Sequence, residues 1–128
     1  MSEEMGTFRV DMEIENLARP GARHTLRAVL VDTGAELSWV PAGVLESLGV
    51  ERNNKWHFRQ PDGTIIERWT GSVVVTVVGK RAADEVVFGE PSDLILLGSR
   101  TLQGLNFRVE LVTKRLVDAG PAPAAVAA

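Results

Sequence analysis

Cysteine and tyrosine are absent from the chain, and histidine occurs only twice, at His24 and His57. Without cysteine the protein cannot form disulfides, thiolate zinc sites, iron–sulfur clusters or a cysteine nucleophile. The two histidines do not have the spacing of metal ligands, so we expect both to be surface or hydrogen-bonded residues. No apolar run approaches the roughly 18 residues of a membrane-spanning helix. These absences exclude thiol chemistry and predict neither a metal site nor a membrane span.

Size and charge restrict the remaining possibilities. The 128 residues carry a formal net charge of −3, so no overall positive charge attracts a nucleic acid, and the mildly basic stretch 19–27 lacks stacking aromatics. We expect a single domain over residues 1–118 and a flexible Ala/Pro-rich tail over residues 119–128. The acidic start, Met1–Met5, lacks the features of a secretory signal, which favours a cytoplasmic protein.

Short apolar segments with a period of two predict a mainly β fold, a small barrel or sandwich. The first runs from Thr7 to Glu15, where apolar and charged residues alternate. The same pattern, or a short buried run, predicts strands at about 25–31, 54–59, 64–66, 72–78, 86–88, 94–97, 107–111 and 116–117. A two-residue turn is predicted at Gly79-Lys80, and the last two strands are expected to pair as a hairpin. Short helices are predicted at about 41–48 and at 100–104, the second capped by Ser99.

The segment Val29–Ala35 is the most informative part of the chain. It places Asp32 directly after a buried strand, where a carboxylate is costly unless it is solvated or paired. The small residues that follow, Thr33, Gly34 and Ala35, let another backbone approach closely. A lone Asp-Thr-Gly triplet is more often a simple turn. Here a second segment, Leu96-Leu97-Gly98, follows about sixty residues later and precedes a short helix.

In this order, and with a hairpin between them, the two segments resemble those of the retropepsin-like aspartic proteases, particularly the small prokaryotic single-domain type. The resemblance covers about residues 25–117. It implies a small closed β-barrel or sandwich with one or two short helices and one lobe per chain. It also implies that Asp32 is catalytic. Because the sequence holds no second Asp-Thr-Gly, a two-fold homodimer with a shared active site would be required.

The resemblance further implies a reaction that needs neither a metal nor a cofactor. The two Asp32 carboxyls of a dimer would share a proton, activate a water molecule and hydrolyse a peptide bond. Thr33 would reach across the two-fold axis to the partner, and Gly34 would let the substrate backbone approach. The expected partners are therefore a second copy of the chain and a peptide or unfolded protein.

The resemblance also assigns residues that contact the substrate. Ala35 and Glu36 would line the cleft, and Leu96 would form an apolar wall. The hairpin at about 54–71 resembles the flap that closes over bound peptide, with Asp62 and Gly63 in its turn; an ordinary surface hairpin is the alternative. Trp56 and Trp69 would either brace this hairpin or belong to the core, and of the two we expect the core.

Two features depart from the family pattern. Glu36 is longer than the usual Ser or Asp, and a pair with Arg100 would need a shifted geometry, because Ser99 takes the position of the basic residue in retroviral relatives. The flap also lacks the usual run of glycines. These departures support a second hypothesis, a catalytically weak or inactive dimeric module that binds peptide or protein. A third hypothesis is an unrelated small barrel in which Asp32 belongs to a turn.

Overall fold

The computed structural model describes residues 8–127. The acidic start of the chain and Thr7, where the first strand was predicted to begin, lie outside the described residues, as does Ala128. The described part contains nine strands and two short helices: β1 (Arg9–Asn16), β2 (Arg23–Val31), β3 (Trp39–Pro41), α1 (Ala42–Ser47), β4 (Asn54–Arg59), β5 (Ile65–Val77), β6 (Lys80–Gly89), β7 (Leu96–Leu97), α2 (Ser99–Gly104), β8 (Phe107–Glu110) and β9 (Arg115–Asp118).

Six of the strands form a closed ring in the order β1-β2-β7-β3-β6-β5, and β5 pairs back with β1. The long strand β5 closes the ring because one of its edges is divided between two partners. Residues 65–70 pair with β4, whereas Val73–Thr76 pair with β1. The predicted mainly β fold, a small closed barrel with two short helices, is confirmed.

The core inside the ring is built mainly from aliphatic side chains, with Phe88 and Phe107 as its aromatic members. In β5 every second residue, Val73, Val75 and Val77, is at most 1% exposed, which is the period expected for a strand with one buried face. Leu45 of α1 and Leu102 of α2 are also buried, so each short helix covers part of the core. Burial of these aliphatic side chains is the main favourable contribution to folding.

A β-bulge bends β2 before it reaches the candidate site. Ala28 has a positive φ of 54°, and the register between β1 and β2 shifts between Val10 and Met12. The carboxylate of Asp11 accepts hydrogen bonds from the backbone N–H of Ala28 (3.0 Å) and from the side chain of Arg27 (3.1 Å). These hydrogen bonds, that of Ala28 above all, lower the pKa of Asp11.

The strands β5 and β6 are longer than predicted. The predicted strands 64–66 and 72–78 are one continuous strand, and β6 begins at Lys80 rather than at residue 86. The predicted turn Gly79-Lys80 is wrong by one residue, because Val77 pairs with Lys80 and the turn is Val78-Gly79. Both turn residues have positive φ, 47° and 80°, a conformation that sequence patterns do not predict for valine.

Two further local predictions need correction. The short strand β3 was not predicted; it inserts between β6 and β7 and is parallel to β6. Ser99 does not cap α2, because Gly98 occupies the N-cap position and no side chain caps it. The predicted C-terminal hairpin is present as β8 and β9.

Residues 119–127 have no regular secondary structure. The backbone N–H of Ala119 donates to the carbonyl of Asn106 (2.9 Å), and the Asn106 side chain donates to the carbonyl of Gly120 (3.0 Å), so the segment leaves the domain along a fixed path. The boundary between residues 118 and 119 stays a prediction. Across residues 8–127, the two helices are far too short to span a bilayer.

Candidate active site

Asp32 lies directly after β2, at the point where this strand runs parallel to β7. Leu30 pairs with Leu96, and Val31 pairs with Leu97. The ladder continues for one more hydrogen bond, since the backbone N–H of Asp32 donates to the carbonyl of Leu97 at 2.9 Å. The backbone position of Asp32 is therefore set by the buried centre of the sheet rather than by a free loop.

The Asp-Thr-Gly segment forms a tight turn that orients the carboxylate. The N–H of Ala35 donates to the Asp32 carbonyl (3.1 Å), and the N–H of Gly34 donates to Asp32 Oδ1 (2.9 Å). A Cβ on Gly34 would lie 3.2 Å from that oxygen, so the absence of a side chain at position 34 leaves room next to the Asp32 carboxylate. Asp32 is half-buried, while Thr33 at the tip of the turn is exposed.

The Gly98 segment interlocks with the Asp32 turn. The N–H of Ser99 donates to the carbonyl of Ala35 (2.8 Å), and the N–H of Arg100 donates to that of Glu36 (3.0 Å). A Cβ on Gly98 would lie only 2.5 Å from the carbonyl oxygen of Leu37. The two sequence segments that carry the resemblance thus meet in space, and glycine at position 98 is what lets them approach.

A buried chain of hydroxyl groups fixes Gly98 from the other side. Its N–H donates to Ser38 Oγ (2.9 Å), which lies 2.5 Å from Thr101 Oγ1, and the Thr101 hydroxyl donates to Asp84 Oδ2 (2.5 Å). Because that hydroxyl has a single proton, Thr101 must accept the proton of Ser38. Burial raises the pKa of Asp84 despite the hydrogen bond from Thr101. The sequence does not single out this hydrogen-bonded chain, since its members come from three separate segments.

An open cavity of about 540 Å³ adjoins the Asp32 carboxylate. Five of the predicted site residues line it: Asp32, Gly34, Ala35, Glu36 and Leu96. The remaining predicted residues, Thr33, Asp62 and Gly63, are exposed and are not part of its lining. The hairpin formed by β4 and β5 contributes the opposite wall through Trp56 to Arg59 and Pro61.

Aromatic side chains dominate the hairpin side of the cavity. Trp39 packs against Phe58 with ring centroids 4.9 Å apart, and Phe58 stacks on Trp56 at 5.9 Å with the planes 19° apart. The prediction that Trp56 and Trp69 belong to the core is wrong, because Trp56 is only half-buried and Trp69 is 39% exposed. The alternation of Trp56 and Phe58 along β4 indicated a shared face but not that this face borders the cavity.

Glu36 and Arg100 form an ion pair at the edge of the cavity. The oxygen and nitrogen atoms are 2.7 Å apart, and the Arg100 guanidinium lies 5.4 Å from the centre of the Trp56 ring. The pair forms although Arg100 is one residue beyond the usual basic position, because Arg100 is in the first turn of α2 and its N–H is bonded to the Glu36 carbonyl. The negative charge of Glu36 is therefore compensated within the chain.

The tip of the hairpin is an ordered turn. Asp62 accepts hydrogen bonds from the N–H (2.9 Å) and the hydroxyl (2.7 Å) of Thr64, and these lower the pKa of Asp62. Gly63 has a positive φ of 92°, which favours glycine at this position. The turn is thus stabilised by its own side chains, and the roles predicted for Asp62 and Gly63 in substrate binding stay predictions.

Below its tip, the hairpin is clamped to the loop between β6 and β7. Arg68 of β5 makes a two-pronged contact with Asp93, Nε to Oδ2 at 2.7 Å and Nη2 to Oδ1 at 3.0 Å, and the side chains are only 12% and 13% exposed. Arg68 lowers the pKa of Asp93, which also accepts the N–H of Glu90 (2.7 Å). The sequence offered no signal for this clamp.

The histidines have the surface positions expected of them. His24 is exposed, and His57 is exposed with its Nε2 2.8 Å from Glu67. Among residues 8–127, no group of three or more His, Asp and Glu side chains has the arrangement of a metal site. The ionisable groups next to the cavity are therefore carboxylates, two arginines and His57.

No protein-family model matches the chain, and no curated protein matches it significantly. Among solved structures, the solution structure of the simian foamy virus (mac) protease is similar to this chain, with a TM-score of 0.49 and 23% sequence identity. The similarity covers 74% of this chain and 91% of the viral one. It is too distant to assign an activity, so function has to be inferred from the geometry of the cavity.

Proposed function

We propose that the protein is a homodimeric aspartic endopeptidase of the retropepsin-like type, which hydrolyses peptide bonds in extended segments. The observation that supports this proposal is the placement of Asp32. Its carboxylate is oriented by the N–H of Gly34, half-buried, and next to an open cavity that a β-hairpin borders. In an ordinary surface turn, no second segment would have to pack closely against the turn, as the segment at Gly98 does here.

One chain supplies only half of the chemistry. Hydrolysis by carboxylates and water needs one group to accept the proton of the water and another to protonate the carbonyl oxygen. Two carboxyls a few ångströms apart share one proton and meet both needs. Since the chain has a single Asp-Thr-Gly, the second carboxyl would be Asp32 of a second copy. Thr33, exposed at the tip of the turn, would be buried in that dimer.

The hairpin would cover the bound peptide. Its inner face already borders the cavity, and an extended peptide between hairpin and floor could exchange main-chain hydrogen bonds with both. Covering the reacting bond would exclude bulk water and strengthen the electrostatic interactions inside the site. The clamp between Arg68 and Asp93 would restrict closure to the part of the hairpin nearer its tip.

The proposal is tested by hydrolysis of peptides and of an unfolded protein between about pH 4 and pH 7. The Asp32→Asn variant should lose activity at least about 1,000-fold, because the asparagine amide can neither accept the water proton nor share one with the partner carboxyl. Asp118→Asn makes the same chemical change at an exposed residue outside the cavity and should keep full activity. Equal rates for Asp32→Asn and the unmodified protein would refute the proposal.

The shared site has its own test. When unmodified and Asp32→Asn chains are mixed in equal amounts and exchanged, random pairing leaves one quarter of the dimers with two aspartates. The rate should then be one quarter of that of the same total amount of unmodified protein. A rate of one half would mean that each chain works alone.

A second candidate is a dimeric module on the same fold that binds peptide or protein with little or no turnover. The observation that favours it is the attachment of the hairpin to the body at Trp39, Arg100 and Asp93, which would slow opening and closure. Peptide binding by both the unmodified chain and Asp32→Asn, with no cleavage by either, would favour this candidate. The cytoplasmic location expected from the sequence stays a prediction.

A further inference from the structure

Three of the seven aromatic residues of the chain lie side by side at one cavity. We name this group, Trp39, Trp56 and Phe58, the aromatic shelf. Its rings come from two different parts of the sheet, the start of β3 and the hairpin strand β4, and they contact one another in a row. The aromatic shelf is continuous with the Asp32 carboxylate, since the same cavity is lined by both.

The three rings of the aromatic shelf are not core residues. All three rings are half-buried, whereas Phe88 is 3% exposed and Phe107 is 8% exposed. The fold can therefore bury an aromatic ring completely, yet it leaves these three partly open to one cavity. A contiguous, partly exposed apolar surface inside a concave site is typical of a place where a ligand covers it.

The charges around the aromatic shelf restrict what could cover it. The guanidinium of Arg100 already lies against Trp56, and Arg59 also lines the cavity. The carboxylate of Glu36 is compensated by Arg100 at 2.7 Å, so it offers little attraction to an added cation. A neutral, planar apolar group gains ring-to-ring contacts with the aromatic shelf. The ammonium group of a lysine would instead lose hydration there and would share the cavity with the Arg59 guanidinium.

We propose that the aromatic shelf is a specificity-determining subsite, which selects an aromatic side chain in an extended peptide bound beside Asp32. This inference rests on the proposed function in that it takes the ligand to be a peptide. It adds the chemical class of the side chain that this chain recognises and the residues that recognise it. An aromatic residue should be preferred over alanine by about fivefold or more, the range expected for ring-to-ring contacts together with burial of the ring.

The test uses binding rather than hydrolysis, in the Asp32→Asn variant. Fluorescently labelled peptides of about eight residues, built on a neutral Ala/Ser/Gln background, carry a single Phe at each position in turn, with matched Ala and Lys peptides. Fluorescence anisotropy gives the dissociation constants. Phe at one or two positions should bind about fivefold or more tightly than Ala, and Lys at the same positions no more tightly than Ala.

Substitutions in the hairpin separate the aromatic shelf from general effects. Trp56→Leu and Phe58→Leu keep an apolar side chain but remove the ring, and each should abolish most of the preference for Phe. Trp69→Leu removes a ring from the outer face of the same hairpin, where it contacts Lys55, and should leave the preference unchanged. Thermal unfolding of each variant shows whether the hairpin has been lost.

The outcomes distinguish this inference from the proposed function. Equal binding of the Phe and Ala peptides, absence of any binding, or a loss of preference in Trp69→Leu as large as in Trp56→Leu would overturn the inference, whether or not the unmodified protein hydrolyses peptides. A preference for Phe in Asp32→Asn, combined with no hydrolysis by the unmodified protein, would support the inference and refute the protease.

Discussion

Replacing Gly98 by alanine should strongly destabilise the protein, although nothing in its backbone conformation requires glycine. Gly98 has φ −96° and ψ 178°, an extended conformation that alanine adopts without strain. The added Cβ, however, would lie 2.5 Å from the Leu37 carbonyl oxygen and 2.9 Å from that of Ala35. Both are backbone atoms, and the Ala35 carbonyl already accepts the N–H of Ser99, so neither can turn aside as a flexible side chain would.

The size of the effect follows from these contacts. Overpacking against a rigid neighbour costs about 1–3 kcal/mol. Moving the two segments apart would also weaken the hydrogen bonds from Ser99 to Ala35 and from Arg100 to Glu36, at about 1 kcal/mol each. Alanine recovers about 0.4–1 kcal/mol by restricting the unfolded chain. The net loss in the free energy of unfolding is therefore about 3 kcal/mol.

Gly104 offers a matched control at the other end of α2. A Cβ there would meet no atom within 4 Å, and the position is helical, so Gly104→Ala should be neutral or stabilise by up to about 1 kcal/mol. Urea unfolding followed by circular dichroism, at one fixed protein concentration, measures both variants. If Gly98→Ala were as stable as Gly104→Ala, the close contact between the two segments would not exist, and the placement of Asp32 would lose its support.

The remaining predictions concern the turn after β5 and two carboxylates, and urea unfolding measures all of them. Val78→Asn should stabilise by about 1 kcal/mol, because Val78 is 66% exposed with φ 47°, where asparagine is tolerated and a β-branched residue is strained. Asp93→Asn should destabilise by about 2 kcal/mol at neutral pH; since Arg68 lowers the pKa of Asp93, this difference should shrink as the pH falls below about 4. For Asp84→Asn the stability difference should change with pH in the opposite direction. Burial raises the pKa of Asp84 above the ordinary 3.8, so the free energy of unfolding of the unmodified protein, relative to that of Asp84→Asn, should be greatest below that pH and fall as the pH rises.

Short-range sequence patterns predict much of this fold because they reflect local physics. Alternation along β1 and β5 identifies the faces that become buried, and Asp62-Gly63 identifies the tip of the hairpin. The contact between the Asp32 turn and Gly98 was not predicted, since no local rule states that segments about sixty residues apart will meet.

Local patterns fail where the ring imposes a conformation on a residue against its own preference. Val78 is a strand-forming residue with φ 47°, because the ladder between β5 and β6 leaves only two residues for the turn. Trp39 begins a strand of three residues that exists only because β6 and β7 flank it. In both cases the pairing of distant strands decides the conformation, and a single sequence does not contain the register of that pairing.

The same limit applies to the candidate site, where it has a functional consequence. Alternation places Trp56 and Phe58 on one face of β4, and a large ring in a small β domain is usually buried, which is why a core position was predicted for Trp56. The hairpin, however, is fixed by Arg68 to a loop that lies more than twenty residues further along the chain. Arg68 pairs with Trp56 across the hairpin, so the clamp lies on the face that carries Trp56 and Phe58, and this face borders the Asp32 cavity. Selectivity for an aromatic side chain would then depend on an ion pair that touches neither the peptide nor the catalytic carboxylate.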